Sequence, residues 1–146
     1  MIQSILVPVD GSEHSKKALD FACELAHKFD AELSVLYVVE YTQADEYMFM
    51  GSARVAIPGT QEEIMKTGQS VVDAAAEIAD EHGCVVSARQ VVTGSAASAI
   101  LDYAENHTID TIVMGSRGLG NVAGLLLGSV SHKVAHLAKC TCIAVR

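Results

Sequence analysis

Glycines and serines at fixed spacing follow a largely apolar stretch, residues 111–114, in the last third of the chain. The segment reads Gly115-x2-Gly118-x9-Gly128-Ser129. Glycines let a backbone approach a ligand closely, and the first amides of a helix carry a partial positive charge. A helix that begins near Ser129 would therefore present unpaired N–H groups to an anion. The pattern predicts a phosphate site built on the main chain.

Two common phosphate motifs do not fit this spacing. A P-loop requires G-x4-G-K-[S/T], whereas Gly124-Leu-Leu-Leu-Gly128-Ser129 is one residue too short and has no lysine. A dinucleotide fingerprint requires G-x-G-x-x-G after the first strand, whereas Gly115-x2-Gly118-x-Gly120 follows the fourth predicted strand. The sequence therefore disfavours both a P-loop GTPase and a dinucleotide-dependent dehydrogenase.

Polar side chains beside the glycines each allow two interpretations. Arg117 suits the outer oxygens of a phosphate chain, or else is a solvated surface residue. Asp10 suits a hydroxyl, an amino group or a bridging Mg²⁺, or else hydrogen-bonds the Ser12 amide in a turn. Ser129 and Ser131 suit helix capping, donation to phosphate, or both.

A second group of ligand types follows the glycine segment. His132, His136 and Cys140 recur at intervals of four and would share one helix face, as a metal site requires. Alternatively, the histidines lie on a solvated face and the cysteine lies just past the helix end. The other cysteines include Cys23 and Cys84, which are expected to be core residues rather than disulfide partners.

Strands and helices alternate in the elements that would carry these groups. Apolar runs predict strands at 2–9, 33–39, 85–92, 109–114 and 141–145. Amphipathic periodicity predicts four helices between them. Their expected boundaries are a cap at Ser12, a helix over 61–82 that stops at Gly83, a cap at Ser95 for a helix to about 106, and a cap at Ser129 for a helix to about 138.

This alternation predicts one α/β domain over residues 1–146, with a single open parallel sheet covered by helices on both faces. Ligands of such sheets bind beyond the carboxyl ends of the strands, where the strand order reverses. Asp10 and Gly115 are therefore expected at one crevice. Residues 40–60 form a long irregular segment that is either a lid or partner contact, or a mobile hairpin without consequence.

Composition limits the classes of partner. Eighteen acidic against ten basic residues give a formal charge of −8, which disfavours nucleic acid and anionic lipid. No apolar stretch is long enough to span a membrane. The first ten residues predict a strand rather than a secretory leader, so we expect a cytoplasmic protein.

With these features the chain resembles the universal stress protein family, and specifically its ATP-binding branch. The resemblance rests on the opening Val7-Pro8-Val9-Asp10-Gly11-Ser12-Glu13, on Val113-Met114-Gly115-Ser116-Arg117-Gly118, and on the complete motif G-x2-G-x9-G-[S/T]. It extends over essentially the whole chain. It implies a five-stranded parallel sheet in the order 3-2-1-4-5, of the adenine-nucleotide alpha-hydrolase-like, Rossmann-like type, with ATP in the crevice.

The resemblance also implies a ligand set and a partner. ADP or AMP are alternatives to ATP, and Mg²⁺ would accompany the phosphates, with Asp10 as a possible ligand. A homodimer would form through the last strand, from Cys142 to Val145. The residues implied around the adenosine are Pro8, Val9, Asp10 and Val38, and those around the ribose and phosphates are Met114, Gly115, Arg117, Gly118, Gly128, Ser129, Val130 and Ser131.

Three functions are compatible with these residues. The first is a nucleotide-dependent regulatory module of a stress response, whose dimer is recognised by another protein. The second is a slow Mg-dependent ATPase or phosphotransfer enzyme, although no base, paired carboxylates or γ-phosphate lysine is evident. The third is a dimeric scaffold that binds no nucleotide, against which the complete glycine motif argues. We favour the first.

Overall fold

The computed structural model of the chain describes residues 1–40, 47–50, 53–56, 61–118 and 127–146. Within these ranges, no helix combines the length and apolarity that crossing a membrane requires. The elements are β1 (Ser4–Pro8), α1 (Glu13–Phe29), β2 (Glu32–Val39), β3 (Tyr47–Met50), β4 (Ala53–Ala56), α2 (Gln61–Glu81), β5 (Val86–Thr93), α3 (Ala96–Asn106), β6 (Thr111–Gly115), α4 (Ser129–Leu137) and β7 (Thr141–Val145).

Five parallel strands form the main sheet in the order β5-β2-β1-β6-β7. Counted along the chain without the β3–β4 pair, this is the expected order 3-2-1-4-5. Ile5 of β1 pairs with Leu33 of β2 on one side and with Thr111 of β6 on the other. The strand order therefore reverses between β1 and β6, and a crevice opens there at the carboxyl edge of such a sheet.

Helices cover both faces of the sheet because successive side chains of a strand point in opposite directions. Ile5 and Val7 pack with α1 and α2 on one face, whereas Leu6 packs with α3 and α4 on the other. All three side chains are fully buried. Burial on both faces explains why the strands read as nearly continuous apolar runs.

Part of the segment 40–60 is regular rather than irregular as the sequence suggested. Strands β3 and β4 pair antiparallel, with Tyr47 opposite Ala56 and Met50 opposite Ala53. The apolar residues 47–50 thus form the first strand of a hairpin, since Met50 and Ala53 are separated by only two residues. Residues 41–46, 51–52 and 57–60, which include Pro58 and Gly59, lie outside the described part. A lid or partner role for this segment stays a prediction.

Helix ends follow the sequence prediction in two places and depart from it in two. Ser12 caps α1, because its Oγ accepts a hydrogen bond from the Ser15 amide at 3.1 Å, and Gly83 has a φ of 72° just past α2. Ser95 was expected to cap α3 but makes no side-chain cap bond. Ser129 was expected to cap α4 but is its first helical residue, since Gly128 is the N-cap.

The cysteines behave as core residues where the sequence predicted it. Cys23 and Cys84 are buried in the same apolar cluster, and neither is in a disulfide. Burial, together with the neighbouring Cys84 thiol, raises the pKa of Cys23 to about 12. A thiol with so high a pKa stays protonated near neutral pH and packs as a small apolar side chain.

Candidate functional site

A cleft of about 470 Å³ opens at the carboxyl ends of β1, β2 and β6. The first turns of α3 and α4 close its two sides. Its position matches the reversal of strand order between β1 and β6, where the sequence predicted a crevice. The residues lining it are Pro8, Val9, Asp10, Leu36, Tyr37, Val38, Val39, Glu40, Ala96, Ile100, Met114, Arg117, Gly118, Gly128, Ser129, Val130 and Ser131.

Eleven of the twelve site residues named from the sequence line this cleft, and Gly115 does not. The structure therefore brings together the ends of β1 and β6, the Arg117–Gly118 pair and the start of α4. Residues 119–126, the interior of the glycine-rich segment with Gly120 and Gly124, lie outside the described part. What the eleven residues bind stays a prediction.

Helix α4 begins at the cleft without a side-chain cap. Gly128, the N-cap, has extended backbone angles of −68° and 164°, and among the described residues no side-chain cap bond to the first turn is made. The Gly128 amide itself donates to the Ser116 carbonyl at 2.6 Å. The amides of Ser129, Val130 and Ser131 have no acceptor within the helix, as for any first turn. Among the described residues these three amides have no acceptor, and they lie with the positive end of the helix dipole at the cleft.

The Ser131 side chain has a structural role that the sequence did not indicate. Its hydroxyl is buried and donates to the Gly115 carbonyl at 2.7 Å. This bond ties the first turn of α4 to the end of β6. The hydroxyl proton is therefore used within the protein, and Ser131 contributes its main-chain amide to the cleft. Ser129 also lines the cleft and is exposed.

The three glycines of the motif differ in the space that a side chain would have. A Cβ added to Gly115 would lie 2.8 Å from the main-chain carbon of His14, so β6 and α1 approach too closely for any side chain. A Cβ on Gly118 would lie 2.7 Å from Oδ2 of Asp10. At Gly128 the nearest atom would be 3.4 Å away, an ordinary contact. Only the first glycine is required by rigid packing.

Asp10 holds the turn after β1 and keeps one oxygen beside the cleft. Its Oδ1 accepts a hydrogen bond from the Ser12 amide at 2.9 Å, and its own amide donates to Ser15 Oγ at 3.2 Å. The turn interpretation of Asp10 is therefore confirmed. Its Oδ2 lies against Gly118, across the crevice between β1 and β6.

The part of the cleft formed by β6 and α4 lies in the longest acid-free stretch of the sequence. Residues 111–146 contain four lysines and arginines and no aspartate or glutamate, although the whole chain carries a charge of −8. Arg117 lines the cleft and is half-buried. The sequence analysis used the net charge and missed this segregation, which charge counted along the chain would have revealed.

The possible metal ligands on α4 do not converge. His132 and His136 are exposed, with ring centroids 6.4 Å apart and nearly parallel planes. Cys140 follows the helix and packs with apolar side chains of α3 and α4. Within the described ranges, no group of three or more His, Cys, Asp or Glu side chains is placed to hold a metal ion. The alternative of a solvated histidine face fits this arrangement.

Two residues that line the cleft, one directly after β2 and one at the start of α3, were not predicted from the sequence. Only Val38 of β2 was named, yet Glu40 and the first residue of α3, Ala96, also line the cavity. Glu40 Oε1 accepts a hydrogen bond from the Ala96 amide at 3.0 Å. A carboxylate directly after a buried strand was the available signal, because neighbouring parallel strands end at the same edge.

Comparison with known proteins agrees with the fold and decides the family. A model of the universal stress protein family matches residues 1–146. The chain belongs to the universal stress protein family. One curated member, Universal stress protein YxiE of Bacillus subtilis, is 37% identical over 150 residues, covering 100% of each chain.

Solved structures of universal stress proteins have the same fold. One, determined in complex with cAMP, is 25% identical to this chain with a TM-score of 0.74, covering 99% of this chain and 97% of that one. Another, from Archaeoglobus fulgidus in complex with dAMP, is 19% identical with a TM-score of 0.67, covering 100% and 98%. The second likeness supports the fold alone. The adenine-nucleotide alpha-hydrolase-like fold expected from the sequence is thus confirmed.

Proposed function

We propose that this universal stress protein binds an adenine nucleotide in the cleft, ATP in preference to ADP or AMP, and acts as a nucleotide-dependent regulatory module. This would place it in the ATP-binding branch of the family. The observation that carries the proposal is the uncapped start of α4, which opens onto a cleft at the reversal of strand order. A helix start of this kind suits a phosphate group.

The solved neighbour with cAMP supports the class of ligand. That protein is 25% identical to this chain and holds an adenine mononucleotide. In this chain, apolar side chains at one part of the cleft and amides at the other suit a base and a phosphate, respectively. The phosphate would lie on the amides of Ser129, Val130 and Ser131, near Arg117. The adenosine would lie toward Pro8, Val9 and Val38.

A magnesium ion fits this site with a single protein ligand. Asp10 Oδ1 is engaged by the Ser12 amide, and Oδ2 remains beside Gly118. Magnesium in nucleotide sites is commonly held by one or two carboxylates, with phosphate oxygens and water completing the octahedron. Asp10 Oδ2 would be that ligand, and the ion would neutralise charge on the outer phosphates.

The homodimer through residues 142–145 is part of the same proposal. Strand β7 pairs with β6 and lies at the end of the sheet, so its second edge meets no strand among the described residues. Unpaired edges with half-buried apolar side chains, here Ile143 and Val145, are suited to pairing with a second copy. A partner protein in the cytoplasm would then recognise the nucleotide-loaded dimer.

Two measurements test the nucleotide assignment. Purified protein is denatured and any released small molecule is identified by mass, and the nucleotide-free protein is then titrated calorimetrically with ATP, ADP and AMP. We expect an adenine nucleotide to be released and ATP to bind with one site per chain. No released nucleotide and no heat of binding for any of the three would contradict the proposal and favour a scaffold that binds no nucleotide.

A further inference from the structure

The turn between α2 and β5 packs against α1, at the edge of the sheet opposite the cleft. His82 Nε2 lies 3.3 Å from Asp20 Oδ1. The His27 ring donates from Nε2 to the Gly83 carbonyl at 2.9 Å. Consecutive residues of the turn are therefore held against α1 at two points, about two helical turns apart.

Two cysteines lie between these two points. Cys23 is three residues after Asp20 and four before His27, so it shares their side of α1. Cys84 directly follows Gly83 in the turn. Both cysteines are buried in one apolar cluster, with 2% and 4% of their surface exposed, and neither is in a disulfide. Burial, and then the Cys84 thiol beside it, raises the pKa of Cys23. Two thiols 61 positions apart in the chain are thus side by side.

Cys84 is the thiol that a reagent reaches more easily. Among residues 81–85, all of which the structure describes, it alone is buried, and the next residue, Val85, is 77% exposed. The Cys84 amide donates to the Ala79 carbonyl at 2.9 Å, so the turn is closed by a local bond. Short surface turns open at a smaller cost in free energy than the whole domain. We therefore expect a small reagent to reach Cys84 while the rest of the chain stays folded.

We propose that Cys23 and Cys84 are a site of reversible disulfide formation, at which a two-electron oxidant joins the two buried thiols. The bond would link the middle of α1 to the turn before β5. The inference is independent of the proposed function, because Cys84 precedes the amino end of β5, whereas the cleft lies at the carboxyl ends of the strands. The bond would close a loop that contains β2 and α2, and would restrict the unfolded chain more than the folded one.

The azo compound diamide can supply the oxidation. The Cys84 sulfur adds to one nitrogen of the N=N bond, and the thiol proton goes to the other nitrogen. The Cys23 sulfur then attacks the Cys84 sulfur, and the first nitrogen leaves with the Cys23 proton as part of a hydrazine. Two thiols are thereby oxidised to one S–S bond, and diamide takes up two electrons and two protons. The second step should be slow, because burial of Cys23 lowers its thiolate fraction.

Mass spectrometry after diamide treatment of the folded, reduced protein tests the proposal. Trypsin places Cys23 in peptide 18–28, Cys84 in peptide 67–89, and both remaining cysteines in peptide 140–146. We expect peptides 18–28 and 67–89 to be linked to each other, in a protein that stays monomeric on a non-reducing denaturing gel. Its Tm should rise by roughly 10 °C, since the closed loop is long, and dithiothreitol should reverse the change.

The other two cysteines provide the matched control. The double variant Cys140→Ser, Cys142→Ser keeps only the proposed pair, so it should form the same linked peptides and show the same rise in Tm. Cys84→Ala should form no link to Cys23 and show no rise in Tm with diamide. Cys23→Ala gives the same test from the other side of the contact if Cys84→Ala fails to fold.

Three results would overturn the proposal. One is the absence of linked 18–28 and 67–89 peptides in folded wild type after prolonged treatment with diamide. Another is a link between two chains, seen as a dimer on the non-reducing gel. The third is a link within one chain that leaves the Tm unchanged or lowers it, because the folded structure would then not accommodate the bond.

Discussion

The carboxyl ends of β1 and β6 lie side by side in the sheet, yet the helices that follow these strands begin differently. At the start of α1, Ser12 Oγ accepts from the Ser15 amide and Asp10 Oδ1 accepts from the Ser12 amide. At the start of α4, the N-cap Gly128 has no side chain, and no side-chain cap bond is made within the part of the chain that the structure describes. Within the described ranges, the start of α1 is thus closed by side chains of its own turn, whereas the start of α4 is left open.

This difference indicates where a ligand belongs. A helix start that the chain caps itself gains stability and loses its affinity for an outside anion, because the amides are engaged. The start of α3 is also closed, by Glu40. Of the three helix starts that line or adjoin the cleft in the described structure, only that of α4 is open. A change of the cap is therefore expected to alter mainly the nucleotide affinity at the start of α4 and mainly the free energy of unfolding at the start of α1.

The largest effect is expected from giving α4 the cap that it lacks. In Gly128→Asp, a carboxylate would engage the first-turn amides and occupy the place of the phosphate. The extended backbone and the ordinary contact at 3.4 Å leave room for the side chain. Nucleotide affinity, measured calorimetrically, should fall by about a hundredfold, since like charges in contact cost several kcal/mol. The free energy of unfolding should rise by about a few tenths of a kcal/mol.

Gly128→Ala controls for the added carbon atom. It introduces a Cβ but no capping group, so affinity should stay within about threefold of wild type. Comparable losses in the alanine and aspartate variants would mean that bulk at this position matters and that the uncapped amides do not.

Packing between β6 and α1 should give the next largest effect. Gly115→Ala places a Cβ 2.8 Å from the main chain of His14, which cannot move without shifting α1. The free energy of unfolding in urea should fall by about 1–3 kcal/mol. Gly118→Ala is the comparison, because its Cβ meets only the carboxylate of Asp10, which can rotate. Equal stability of the two alanine variants would contradict this reading of the motif.

Arg117 should distinguish nucleotides by the length of their phosphate chain. Arg117→Ala removes a half-buried cation that lines the cleft beside the open helix start. We expect about a tenfold loss of ATP affinity and a smaller loss of AMP affinity, because the guanidinium suits the outer phosphates. Equal losses for both ligands, measured by calorimetry, would show that Arg117 does not contact the outer phosphates.

The smallest effect on the ligand is expected in the closed turn. Ser12→Ala removes the side-chain cap of α1 and should lower the free energy of unfolding by about 1 kcal/mol. Nucleotide affinity should change by less than about twofold. Denaturant unfolding and calorimetry on the same preparation give both quantities. A loss of affinity as large as that of Gly128→Asp would remove the contrast between the two turns.

The sheet was predictable from the sequence because its signals are local. Apolar runs of strand length, separated by amphipathic helices, require parallel strands and crossover connections. The cap at Ser12 was predictable for the same reason, since donor and acceptor are three residues apart. The order of the strands, with β1 and β6 as neighbours, was implied by the family resemblance and is confirmed. For residues 40–60 a hairpin was only one alternative for an irregular segment, and the strands β3 and β4 were not predicted.

The features that the sequence did not predict depend on contacts between residues that are far apart in the chain. Glu40 replaces Ser95 as the cap of α3 across 56 residues, and no local pattern indicates this. The Gly128 amide is taken by Ser116, so Gly128, and not Ser129, became the N-cap. The resemblance supplied the site residues, but it could not show that Gly115 serves packing rather than lining the cleft.

Nuclear magnetic resonance on ¹⁵N-labelled protein tests the central claim most directly. AMP is titrated into the nucleotide-free protein while the amide resonances of the two turns are followed. The account predicts saturable downfield shifts of the Ser129, Val130 and Ser131 amides, as phosphate accepts their hydrogen bonds, with the Ser15 amide almost unchanged. Unshifted α4 amides at saturating AMP would contradict it, because the nucleotide would then bind without the open helix start.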